Sequence, residues 1–231
     1  MNELRQYLDC RIDRNREERL IYISQGDFIT KSLEKYGYGD LNSVRNPWPS
    51  DTQIPKTWTP AEDIDLKGYV SEVATLNFAA TITRPDIQYT TNRLAEANKG
   101  PAKEHVAVLK YLWRYMAGTK SLGLRAGGRQ YISNLHLHAY GDASFADDLL
   151  TRISTGGHMV FLTGCPIIWK SRKQTIVTIS TTEAEFINLT PIALSIKWIA
   201  EICVEAGYLQ TVSLLIHTDS QNVRLAVFNL L

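Results

Sequence analysis

Three carboxylates have the chemistry and the placement to act together. Asp142 lies in Tyr140-Gly141-Asp142-Ala143, Glu185 in Thr182-Glu183-Ala184-Glu185-Phe186, and Asp219 in His217-Thr218-Asp219-Ser220. Asp142 and Asp219 each follow an apolar run of strand type, and Glu185 falls in the first turn of a helical pattern. Neighbouring strand ends and a facing helix would bring the three to one spot. Such a cluster repels itself unless a hard cation neutralises it, and Mg²⁺ takes oxygen ligands; Mn²⁺ is the alternative ion. Two ions held this way activate a water and stabilise a leaving oxygen in phosphodiester cleavage. Each acid also has a plain structural reading. Asp142 suits a turn, Thr182-x-x-Glu185 suits a capping box, and Asp219 suits the N-cap of a following helix. Singly, those readings are the stronger ones. The occurrence of all three, in this order and on these elements, is what favours a metal site.

The elements that must position these acids are read from pattern. Leu135 to Tyr140 alternates apolar and polar residues, as a half-buried strand does. Gly156 to Thr163, Pro166 to Trp169 and Ile176 to Ile179 are further strand candidates. A helix is predicted from about Glu183 to Ala206, with Phe186, Leu189, Ala193, Ile196, Ala200 and Cys203 as its core stripe and a kink at Pro191. Leu214 to Ile216 reads as a short buried strand, and a last helix is expected from Ser220. Upstream, Tyr7 to Asp13 and Leu20 to Ser24 read as a hairpin across a polar turn, followed by a helix from Asp27 that stops at Gly37. Residues 40–60 hold Pro47, Pro49, Pro55 and Pro60, which suits a linker or extended arm at a subdomain boundary. Residues 61–118 read as three helices: about Asp65 to Thr83, one opening at Pro85, and about Pro101 to Ala117. The third turns Val106, Leu109, Trp113 and Met116 toward a core.

Composition narrows the function classes. Of 231 residues, 44% are apolar and 21% charged, enough to bury a sizeable core and too apolar for a disordered chain. No apolar run approaches a membrane span of about 18 residues, and no signal peptide opens the chain, so no membrane partner and an intracellular setting, cytoplasm or nucleus, are expected. Three cysteines, far apart and in no C-x-x-C pair, argue against a disulfide framework or a zinc site. His136, His138 and His217 are not expected to bind metal without a nearby Cys or a second spaced His. Trp48, Trp58 and Trp169 are expected to pack rather than to stack on bases. No phosphate-binding G-x-x-x-x-G-K-[ST] and no nucleophile elbow occurs.

The net charge is only +1, but it is unevenly spread. Residues 99–129 carry seven basic residues against Glu104 alone, a local +6 that leaves −5 elsewhere. Lys103, Lys110 and Arg114 share one helix face there, and Lys170, Arg172 and Lys173 add a second basic group. Phosphate contacts would give such a stripe salt-dependent, sequence-independent affinity for nucleic acid. A solvated helix face is an equally good account of the spacing, though not of the missing acids.

Longer motifs carry a resemblance. Arg152-Ile153-Ser154-Thr155-Gly156-Gly157 resembles R-S-T-S-G-Y, Pro166-Ile167-Ile168-Trp169-Lys170-Ser171-Arg172-Lys173-Gln174 resembles P-I-S-W-K-S-K-K-Q, and Ser180-Thr181-Thr182-Glu183-Ala184-Glu185-Phe186 resembles S-S-T-E-A-E-Y. All three belong to the ribonuclease H domain of Ty1/copia-type retrotransposon Pol polyproteins. Upstream, Thr83-Arg84-Pro85-Asp86-Ile87 is similar to the T-R-P-D-I of the segment joining polymerase to ribonuclease H. Leu109 to Thr119 is similar to its L-K-R-I-L-R-Y-L-K-G-T. Tyr7 to Pro47 looks like the end of the reverse transcriptase.

The resemblance implies an α/β fold. It consists of a ribonuclease H-like mixed sheet over residues 131–231, cut short at its C-terminal side. A helical connection segment over 61–130 and a β-hairpin plus helix within 1–60 precede it. It implies Asp142, Glu185 and Asp219 as metal-binding catalytic acids, with Glu185 preferred to its neighbour Glu183. The implied activity is two-metal hydrolysis of the RNA strand of an RNA–DNA hybrid, with the rest of the Pol polyprotein as partner. The reverse transcriptase's Y-V-D-D is absent, so no polymerase activity is expected. A fourth acid, in a K-H-I-D-like stretch, would fall beyond Leu231, so the expected nuclease activity is weak or absent. The alternative is a non-catalytic retroelement remnant that binds nucleic acid or protein. A transposase on the same fold is disfavoured, because that group runs Asp, Asp, Glu.

Overall fold

The computed structural model describes residues 4–50, 54, 57–129, 136–148, 151–208 and 215–219. It is a mixed α/β structure with five α-helices and two four-stranded sheets among the described residues, ordered β1-β2-β3-β4 and β7-β6-β5-β8. The strands are β1 (Gln6–Tyr7), β2 (Cys10–Asn15), β3 (Leu20–Ser24), β4 (Gly123–Gly127), β5 (Leu137–Ser144), β6 (Thr155–Leu162), β7 (Cys165–Lys173) and β8 (Leu215–His217). The helices are α1 (Gly26–Lys35), α2 (Leu66–Ile82), α3 (Gln88–Ala95), α4 (Lys103–Gly118) and α5 (Thr181–Glu205). Two compact units form: residues 1–15 with 21–125, and residues 16–20 with 126–231.

The core of the first unit is helical. Val73, Leu76 and Ala80 of α2, Leu94 of α3, and Leu109, Leu112, Trp113 and Met116 of α4 are buried together. Asp65 caps α2 by accepting from Lys67 N at 3.1 Å. The Pro-rich stretch lies inside this unit, with Val44, Trp48 and Trp58 packed against its core. Trp58 Nε1 also donates to Gly100 O at 2.8 Å. The Thr83–Ile87 motif has a structural use. Pro85–Ile87 form a 3₁₀ turn, and Arg84, 1% exposed, reaches Asp86 through both Nε and Nη2 (2.9 and 2.7 Å). Arg84 Nη1 and Nη2 also donate to Thr119 O and Oγ1, and Tyr115 donates its hydroxyl to Asp86 Oδ2 at 2.8 Å. The motif thereby ties the turn before α3 to the end of α4.

The second unit packs α5 on one face of the β7-β6-β5-β8 sheet. β5–β6 and β6–β7 pair antiparallel, and β5–β8 pair parallel, His138 opposite Leu215 and Tyr140 opposite His217. Leu137, Ala139 and Val160 meet Ile192, Ile196 and Ala200 of α5 in the core. Among the described residues α5 alone is long and apolar enough to cross a membrane, by length and composition. Pro191 lies on its exposed side, where water can satisfy the carbonyl freed by the missing N–H.

Several pattern readings need correction. Tyr7–Asp13 is not one strand: Leu8 and Asp9 take positive φ (48° and 56°) and turn the chain between β1 and β2. Ile176–Ile179 forms no strand; its apolar side chains are exposed in the segment before α5, Ile179 by 90%. The core stripe of α5 is rotated at its N-terminal half. Phe186 and Ala193 are exposed, and Ala184, Asn188 and Ile192 are buried instead. The sheet favours that phase, because Gly141 and Gly156 lack the Cβ atoms that would collide with Ile192 and Asn188. The helix expected from Ser220, and Leu135 and Leu214 of the expected strands, lie outside the described residues.

Candidate metal centre

The three acids come from three elements of the second unit. Asp142 sits within β5 rather than after it, six residues into the strand, opposite Gly157. Its Oδ1 accepts from Ala143 N at 2.8 Å. Asp219 follows β8, which the parallel ladder places directly beside β5. Glu185 stands in the opening turns of α5. One carboxylate oxygen from each lies within 4.8 Å of the others. Asp142 and Asp219 are exposed and Glu185 is half-buried.

The capping of α5 separates Glu183 from Glu185. Ser180, not Thr182, is the N-cap: its Oγ accepts from Glu183 N at 3.1 Å. Glu183 in turn accepts from Ile179 N through Oε2 at 2.7 Å. This nearly reciprocal pairing uses Glu183 for helix initiation. The expected Thr182–Glu185 box does not form, and Glu185 is left for other work. Its Oε2 is buried with no hydrogen-bond partner. Leaving a buried carboxylate oxygen without a partner is costly. No Lys or Arg pairs with any of the three acids among the described residues.

The basic residues are less free than their spacing implied. In the first unit, Lys103 Nζ lies 3.4 Å from Asp63 Oδ2. Arg114 donates Nε to Asn42 O at 2.8 Å and rests over the Tyr111 ring. Lys110 is exposed and without an ion pair among the described residues. An acid distant in sequence thus faces the stripe that looked acid-free. In the second unit Lys173 pairs with Asp148 at 2.9 Å, while Lys170 and Arg172 alternate with it along β7 and are exposed.

His138 and His217 are occupied by ring packing. His138 stacks on Phe161 with centroids 5.3 Å apart, and His217 stacks on Tyr140 at 4.7 Å. Burial, and then the neighbouring His217 and His136, disfavour protonation of His138. Sequence reasoning missed Asn188, whose buried amide donates to Asp142 O and Gly157 O at 2.8 and 3.0 Å. An Asn on a helix reads as surface. The available signal was the pair of strand glycines, Gly141 and Gly156, under it.

The chain is 31% identical over 223 residues to a retrovirus-related Pol polyprotein from transposon TNT 1-94 of Nicotiana tabacum, covering 94% of this chain and 16% of that protein. It is 33% identical over 202 residues to the retrovirus-related Pol polyprotein from transposon RE1 of Arabidopsis thaliana, 87% of this chain and 13% of that protein. An uncharacterized mitochondrial protein of Arabidopsis thaliana is 31% identical over 182 residues, 77% of this chain and 72% of its own length. No protein-family model and no solved structure matches the chain. The chain belongs to the retrovirus-related Pol polyproteins of Ty1/copia-type transposons. It spans 13–16% of the length of the Pol polyproteins it matches, and is a retrotransposon-derived protein.

Proposed function

We propose that residues 126–231 form a ribonuclease H-like unit that hydrolyses the RNA strand of RNA–DNA hybrids. The observation that carries this reading is the convergence of Asp142, Glu185 and Asp219 within 4.8 Å. The strand order β7-β6-β5-β8, antiparallel except for the β5–β8 pair, supports it.

The residues fit a divalent cation. All three donors are carboxylate oxygens, the ligand type that Mg²⁺ takes and Mn²⁺ accepts. The buried, unpartnered Oε2 of Glu185 is an acceptor in want of a partner, which a cation supplies. Asp142, Glu185 and Asp219 would hold it. When bound, such ions supply an activated water and charge stabilisation at a phosphodiester. The protein's own part is positional. β5 and β8 present two acids side by side, α5 brings the third over them, and Glu183 keeps the helix start fixed. Lys170 and Arg172, exposed on β7, are cations of the kind that contact backbone phosphates, and in the first unit Lys110 is another. The 2′-hydroxyl distinguishes the RNA strand. The rest of the Pol polyprotein is the expected partner.

The test is cleavage of an end-labelled RNA–DNA hybrid by the full chain in Mg²⁺ and in Mn²⁺. The expected result is scission of the RNA strand alone, removed by chelator and by Asp142→Asn. Binding of the hybrid with no scission in either ion would replace this reading with that of a non-catalytic nucleic-acid binder.

A further inference from the structure

We propose that Asn188 is the positioning residue of the acid cluster: its buried amide fastens α5 to β5 and β6 and so sets the reach of Glu185 to Asp142. The inference rests on the metal-site reading for its consequence in binding, but not for its geometry. Asn188 is 6% exposed and sits on the core face of α5. Its Nδ2 donates to the backbone oxygen of Asp142 itself at 2.8 Å and to that of Gly157 at 3.0 Å. Asp142 and Gly157 are opposite one another in the β5–β6 ladder. One nitrogen therefore spends both hydrogens on the two strands at the register of the proposed ligand.

Glu185 lies three residues earlier on the same helix, on the neighbouring turn of the same side. Rotating or lifting α5 at Asn188 must move Glu185 with it. Space for the amide is made on purpose of geometry: a Cβ at Gly156 would run into Asn188 Oδ1, and a Cβ at Gly141 into Ile192. The rest of the α5–sheet core is apolar, built from Leu137, Ala139, Val160, Ile192 and Ile196. Apolar packing tolerates small sliding, whereas two hydrogen bonds to fixed carbonyls define one rotation and one height. A buried amide costs stability unless bonded. Simple core filling would use Leu or Ala at this position.

The experiment measures proximity and metal binding separately, in the full chain. The double variant D142C/E185C reports proximity through its rate of disulfide formation under mild oxidant. Adding Asn188→Ala should slow that rate by about tenfold or more, as ångström-scale misplacement of reacting groups does. Adding Ile196→Val, a core change further along α5, should leave it unchanged. An unchanged rate with Asn188→Ala, or equal slowing by Ile196→Val, would overturn the proposal. If Asn188→Ala does not fold, Gly156→Ala, which crowds the amide, is used in its place with the same expectation.

Mn²⁺ affinity, read from the electron paramagnetic resonance of the free ion, is measured on the native acids. Loss of binding in Asp142→Asn supports the metal-site reading. Asn188→Ala should then weaken binding by about 10–100-fold, the usual effect of removing a group that orients a ligand. No Mn²⁺ binding by the unaltered chain would overturn the metal-site reading, while the cross-linking rate would still decide the role of Asn188.

Discussion

Replacing Asp86 with Ala should destabilise the first unit more than any other single change in the Arg84 network. Arg84 is 1% exposed, and its charge is met by the Asp86 carboxylate, the Thr119 oxygens and the face of the Tyr115 ring, of which Asp86 alone carries a counter-charge. Asp86→Ala removes the counter-charge and leaves a guanidinium buried, a situation that costs about 3–5 kcal/mol. The opposite deletion is milder. The Asp86 side chain is 32% exposed and keeps the Tyr115 hydroxyl, so after Arg84→Met it can take up water, at a cost of about 1–3 kcal/mol. Tyr115→Phe removes one bond and should cost about 1 kcal/mol. Removing both charges together should recover most of the loss seen in Asp86→Ala. The assay is equilibrium urea unfolding followed by tryptophan fluorescence. With Trp169 and Trp198 changed to Phe, the remaining Trp48, Trp58 and Trp113 report the first unit alone. If Arg84→Met proves costlier than Asp86→Ala, or the double change is as damaging as Asp86→Ala, the buried-charge reasoning is wrong.

Gly141→Ala should cost about 1–3 kcal/mol through overpacking against Ile192, measured by thermal unfolding, and Ile192→Val should return part of it. Burial, and then the Glu72 carboxylate, push the Tyr38 hydroxyl up to about 12 from an ordinary 10. The folded state therefore holds that proton more tightly than the unfolded chain does. Its contribution is full below pH 10 and lost as pH rises to about 12, so Tyr38→Phe should flatten the fall in urea midpoint across that window. Lys110→Glu should lower the salt slope of hybrid binding by about 0.9, one phosphate contact. Lys103→Glu and Arg114→Glu should change it less, because Asp63 and Asn42 already engage them; equal effects from all three would restore the undivided stripe.

The parts legible in the sequence were those with a strong period or a specific spacing. α4 shows its core face in Leu109, Trp113 and Met116 because its polar and apolar residues separate cleanly. α5 does not. Apolar side chains such as Leu194, Trp198 and Ile202 surround it, so period alone leaves its rotation open. That rotation is favoured by two glycines on strands far away in sequence. The three acids were legible from order and motif, but the division of work between Glu183 and Glu185 was not. It depends on which residue starts the helix, and Ser180, Thr181 and Thr182 are all competent caps. β4 carries two glycines among its five residues and gives no strand pattern, although it completes the first sheet. The Ile176–Ile179 run has strand composition but pairs with no strand among the described residues, and composition does not report on a partner.

The placement of Asp219 beyond β8 has a consequence for the order of assembly. β8 has three residues and joins the sheet through its parallel ladder with β5, across the whole of α5. Parallel pairing over so long a loop closes late, because the entropy of closure is met before the ladder gives anything back. During ribosomal synthesis the first unit and the β5–β6–β7 meander emerge before β8 does. The nascent chain thus carries Asp142 and Glu185 for a time with no third carboxylate beside them. Asp219 joins the other two acids only once β8 has paired with β5, so a polypeptide stalled or clipped ahead of β8 would retain the β5–β6–β7 meander and lack the three-acid cluster.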